Sequence, residues 1–140
     1  MGFEWGWADV DWIAVVVAFV ANMVLGFVWY HKKVLGGIWM DDIGKTEEEI
    51  RSGNMAAAMG SMIFLMLIST ITLALIIGNI GGGLEEGLVV GAIIGFGIAA
   101  AREIPHYTFA QAPNRLALLN AGNTGVGITL SGLIIGAFNA

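Results

Sequence analysis

Eight polar residues in a largely apolar chain are spaced so that they could do chemistry. Arg102 and His106 are four apart, which places them on one face of a helix, and Glu103 and Tyr107 share the neighbouring face. Arg115, Asn120 and Asn123 follow a few residues later, and Asn22 lies alone in an early apolar run. Ionisable groups at membrane depth are costly and turn toward protein or water. Such a set could pass protons or small ions, with His106 titrating near neutral pH. Alternatively, Arg102 and Glu103 pair at the membrane surface and extend their charged ends toward water. Asn22 stands in line with Ala14, Ala18 and Gly26, a register suited to a hydrogen bond between helices rather than to a substrate.

No reaction-competent set accompanies these residues. The two histidines, His31 and His106, lack metal-ligand spacing, and there is no cysteine to supply a thiolate, a disulfide or a nucleophile. Gly81-Gly82-Gly83 lacks the Lys-Ser/Thr that completes a phosphate loop. We therefore expect no catalytic residue, no cofactor and no metal. With six basic residues and a formal net charge of −5, a nucleic-acid partner is excluded as well.

Glycine spacing is the clearest pattern. Gly87, Gly91 and Gly95 recur every four residues, with Ala99 continuing the face, and Gly132 and Gly136 repeat the interval. Small residues at this spacing let two helix backbones approach closely. They could pack the chain on itself or on a second copy.

The elements that must position these residues follow from hydropathy. Hydrophobic residues make up 57% of the 140 and charged residues 12%, too few charges to cover a soluble domain of this size. Charge-free runs extend over Trp12–Tyr30, Ser52–Leu84, Gly87–Ala101 and Leu116–Ala140. A helix needs roughly 20 apolar residues to span a bilayer. The runs predict an all-α, four-helix integral membrane bundle forming one domain over residues 1–140. Its helices should cover about 11–31, 55–77, 84–109 and 116–138. Gly78, Asn79 and the three glycines after Ile80 should end the second helix, and Pro105 should kink the third. Thr46-Glu47-Glu48-Glu49 has the form of a capping box and predicts a short helix before the second span.

Charge sets the expected orientation. Lys32, Lys33, Lys45 and Arg51 lie between the first two spans, and Arg102 and Arg115 flank the connection between the last two. All six bases thus fall on one side. That side should be cytoplasmic, with both termini outside the cell membrane. Glu4, Asp9, Asp11, Glu85 and Glu86 make the outer side negative. The acidic start has no signal-peptide n-region, so the first span should remain as an anchor. Trp5, Trp7 and Trp12 at one end of the first span, and Trp29 and Tyr30 at the other, are placed as membrane-surface anchors, followed by His31 in the headgroup region.

The runs Val24-Leu25-Gly26-Phe27-Val28-Trp29-Tyr30 and Gly36-Gly37-Ile38-Trp39-Met40 resemble the opening of a prokaryotic family of small four-helix membrane proteins, catalogued as a domain of unknown function, number seventeen sixty-one. Thr46-Glu47-Glu48, Met55-Ala56 and Leu118-Leu119-Asn120-Ala121-Gly122 are similar to it too. The acidic, Trp-rich start and Arg102-Glu103-Ile104-Pro105-His106 depart from it. The resemblance implies the same four-helix topology and carries no activity. The function expected is non-enzymatic: a homo-oligomer or accessory subunit within a lipid bilayer. A small channel or transporter built on the polar residues is the alternative.

Overall fold

A computed structural model describes residues 5–139; Glu4, counted above with the outer acids, lies outside them. The described chain is helical. Four helices are long and apolar enough to cross a membrane: α1 (Trp12–Trp29), α4 (Met55–Ile80), α5 (Leu84–Phe109) and α6 (Asn114–Asn139). Two short helices, α2 (Gly37–Ile43) and α3 (Glu47–Ser52), occupy the connection between α1 and α4. The four long helices run alternately up and down. One end carries Lys32, Lys33, Lys45, Arg51, Arg102 and Arg115, and the other carries Asp9, Asp11, Glu85 and Glu86. We refer to them as the basic and acidic ends.

Local chemistry explains where the helices begin. The Asp11 carboxylate accepts from the Ile13 and Ala14 amides at 3.0 and 3.1 Å, so α1 starts at Trp12. Asn54 caps α4 by accepting from the Ala57 amide at 3.0 Å. In the Thr46 box the Glu49 amide donates to Thr46 Oγ1 at 3.2 Å, and the Thr46 amide donates back to Glu49. Glu86 reaches back to the Gly83 amide at 2.9 Å and opens α5. Gly81, at φ +78°, ends α4 in the left-handed conformation that glycine adopts at no steric cost.

Two sequence expectations change here. Helix α4 does not stop at residue 77, because Gly78 and Asn79 continue it and serve another purpose. The N-terminal segment lies across Gly78, where a Cβ would collide with the Asp9 carbonyl. The Asn79 amide then brackets Gly6, accepting from its N–H and donating to its carbonyl, both at 3.0 Å. The connection after α1 also holds more structure than one short helix. A π-helical turn, Lys32–Gly36, begins with the His31 ring accepting from the Lys33 amide, and leads directly into α2.

Helix α6 is the centre of the bundle, packed against α1, α4 and α5. Its tightest neighbour is α5. A Cβ added at Gly91 would lie 2.9 Å from the Ile128 carbonyl oxygen, and one at Gly95 2.8 Å from that of Gly125. At Gly87, Gly132 and Gly136 the facing backbone is closer still. All five spaced glycines are therefore used within the chain, backbone against backbone. Between α1, α4 and α6 a small apolar core forms from Val10, Ala14, Val15, Ala18, Leu73, Ala74, Ile77 and Ile135.

The glycine face of α5 does not run on to Ala99. Residues Ile93–Ala100 are π-helical, and the wider turn advances the register by one residue, so the buried series is Gly87, Gly91, Gly95 and Ala100. Pro105 sits inside the helix soon afterwards, where it withholds an amide donor.

Helix α4 meets the bundle along only half its length. Its buried residues, Thr70, Leu73, Ala74 and Ile77, form one face of the half nearest the acidic end. From Met55 to Ser69 every residue is exposed except the half-buried Met59 and Met66. Large apolar side chains such as Ile13, Val16, Phe27, Phe64, Leu65 and Ile93 point outward around the bundle, a surface suited to hydrocarbon rather than water.

Candidate functional site

The register shift in α5 decides which of its polar residues meet α6. Counting on from Ala100, the inward positions are Glu103 and Tyr107, both half-buried, whereas Arg102 and His106 are exposed. Glu103 is the hub of a hydrogen-bonded set. Thr124, one turn beyond Asn120 on α6, donates its hydroxyl to Glu103 Oε2 at 2.6 Å. Tyr107 donates to Glu103 Oε1 at 3.2 Å, and the Asn120 amide donates to the Tyr107 oxygen at 2.9 Å. Tyr30, at the end of α1, donates to Asn120 Oδ1 at 2.7 Å. Three long helices thus contribute to one polar site near the basic end.

Among the described residues, no Lys, Arg or His forms an ion pair with Glu103. The ion pairs among the described residues join Lys32 to Glu47, Arg51 to Glu47 and Arg115 to Asp42. The alternative in which Arg102 pairs with Glu103 is therefore corrected: the two side chains leave the helix on different faces, and Glu103 is turned toward neutral oxygens. His106 shares the outward face with Arg102 and takes no part in the set.

The remaining sequence candidates are dispersed. Asn22 donates to the Ala18 carbonyl at 3.1 Å and, by a short bond, to Ser131 Oγ on α6; Gly127 leaves the room its side chain occupies. Ser131 is eleven residues from Asn120, roughly 16 Å along the helix, so Asn22 is a separate contact. Arg115 reaches α2 instead of the polar site, donating to Asp42 from Nε at 3.0 Å and from Nη2 at 2.6 Å. This two-pronged bond holds the Asp42 carboxyl below the usual aspartate range. Asn123 is half-buried and makes no side-chain hydrogen bond with the described residues.

The aromatic anchors divide by end. Trp5, Trp7 and Trp12 are exposed at the acidic end, with Trp7 and Trp12 stacked at 6.3 Å. Trp29 and Tyr30 instead turn toward α6. The Trp29 indole donates to the Leu119 carbonyl at 3.1 Å, and Trp39 of α2 packs edge-on against Tyr30 at 5.9 Å. Burial, then the neighbouring Tyr107 and Glu103, push the Tyr30 phenol above its ordinary value. Both side chains serve the bundle because α6 offers each a polar partner.

Sequence reasoning placed Glu103, Tyr107 and Asn120 near one another but missed Thr124, and it assigned Tyr30 to the membrane surface. The spacing of Asn120 and Thr124, four apart on one face, was the available signal. Chemically, the site offers one carboxylate, two hydroxyls within reach of it, and an amide. Among the described residues no group of three or more His, Asp or Glu is placed to hold a metal ion.

A family model described as a protein of unknown function, DUF1761, matches residues 13–136. No curated protein and no solved structure matches the chain.

Proposed function

Since the chain belongs to the DUF1761 family, whose activity is unknown, its function has to be argued from its own geometry, and we propose that it is a non-enzymatic, multi-pass subunit of a membrane assembly, formed with further copies of itself or with other membrane proteins. The observation that carries this is the half of α4 that stands clear of the bundle. The five spaced glycines of α5 and α6 are consumed inside the chain. On α4, Ala56 and Gly60 form a second small-residue pair at the spacing that favours close helix approach, and nothing lies within 4 Å of where a Gly60 side chain would begin. Ala57 and Ser61 widen the same strip.

In this proposal the basic end faces the cytoplasm, because all six Lys and Arg residues collect there, and both termini face outward across the cell membrane. Gly60→Leu tests the assembly. In mild detergent or lipid nanodiscs, the wild-type protein should run as an oligomer or with a co-purifying membrane protein, and the variant should run alone with unchanged helix content. Wild type running as a lone monomer would count against the proposal.

A channel or transporter is the second possibility, favoured by the site around Glu103. That site occupies the basic end only. Toward the acidic end, glycine contacts and the apolar core around Ala18, Leu73 and Ile135 close the bundle.

A further inference from the structure

We propose that Glu103 and the oxygens around it form a binding site for a small monovalent cation, Na+ being the probe of choice. The first reason is charge. Glu103 is half-buried between two membrane-length helices, and no Lys, Arg or His among the described residues forms an ion pair with it. The two hydroxyl bonds offset part of the desolvation cost of a carboxylate in that position but bring no positive charge, and a bound cation would supply it.

The second reason is the ligand set. Within 3.2 Å of the two carboxylate oxygens lie Thr124 Oγ1 and Tyr107 Oη, and the Thr124 hydroxyl is itself 3.2 Å from the Asn120 carbonyl oxygen. Hydroxyls can rotate their hydrogens away and present lone pairs, so the same atoms that now bond one another can face an ion. Carboxylate, hydroxyl and carbonyl oxygens are hard ligands and suit hard cations. A single carboxylate neutralises one positive charge. A divalent ion would remain charged in a poorly solvated place, and the lack of a second acid argues against it.

The third reason is access. Glu103, Tyr107, Asn120 and Thr124 are all partly exposed near the basic end, while the glycine contacts close the bundle in the other direction. The site therefore loads from one side. Arg102 and His106 point elsewhere on α5 and do not compete for the carboxylate. This site stands independently of whether α4 mediates assembly.

The experiment is equilibrium binding of radioactive Na+ to the purified chain in detergent, at constant ionic strength maintained with choline chloride. Saturable binding is expected, displaced by unlabelled Na+ and by acid. Glu103→Gln, which keeps the shape of the side chain and loses its charge, should abolish it. Thr124→Ala should require about tenfold more Na+ for half-saturation, the effect of losing one good ligand. Circular dichroism and thermal melting should show both variants folded, and binding by His106→Ala should match wild type. No saturable binding by the folded wild-type protein, or full binding by folded Glu103→Gln, would overturn the proposal. Saturable Na+ binding that acid does not displace would place the ion away from the carboxylate, and would overturn it equally.

Discussion

At the scale of single residues, position relative to α6 matters more than residue type. Arg102 and Glu103 are adjacent in sequence, yet one faces outward and the other receives hydroxyl bonds from Tyr107 and Thr124. Arg115 similarly uses its fork on Asp42, whose side chain is only 7% exposed although Arg115 is largely open. The consequence for pH has a definite sign. Asp42 binds its proton less readily in the fold than in the unfolded chain, so the pair's contribution is complete above the ordinary aspartate range, near roughly pH 4. It is lost as pH falls through the lowered value. Thermal melting in detergent should therefore show wild type losing more stability than Asp42→Asn on acidification below about pH 4. Parallel losses in the two proteins would show that the pair contributes nothing.

At the scale of elements, the long helices were legible because unbroken apolar runs are a simple signal. The starts of α1 and α4 and the capping box at Thr46 lie close to where the residues placed them. What escaped was phase and partnership. A π-helical turn has no residue signature, so the shift from Ala99 to Ala100 could not be read, and with it which polar face of α5 would turn inward. Gly78 and Asn79 looked like helix breakers because the N-terminal segment that packs on one and bonds to the other is remote in sequence. Thr124 passed as an ordinary small residue until Glu103 lay beside it. The α5–α6 glycine contact makes its own prediction. Gly132→Ala would drive a methyl group into the Gly87 carbonyl and should cost about 1–3 kcal/mol, as overpacking of a close contact does. Gly26→Ala, which meets nothing within 4 Å, should be neutral or stabilise by about 0.5–1 kcal/mol through the better helix propensity of alanine. Unfolding in graded denaturing detergent would compare them. Equal behaviour of the two variants would contradict the packing described.

At the scale of the whole molecule, the chain is a bundle organised around one central helix, with an acidic end, a basic end, a polar site near the basic end and half a helix left without partners. These features acquire direction only if the bundle crosses a bilayer with its six bases on the inner side. The absence of cysteine makes that testable, since any introduced cysteine is the sole thiol. Single cysteines at Asp9, Glu85, Glu48 and Gln111 should be treated with a membrane-impermeant maleimide on intact cells and again after permeabilisation. Asp9→Cys and Glu85→Cys should label on intact cells, and Glu48→Cys and Gln111→Cys only after the membrane is opened. Labelling of Asp9 and Glu85 on opposite sides, or of Glu48 and Gln111 on intact cells, would contradict the four-crossing arrangement with outward termini.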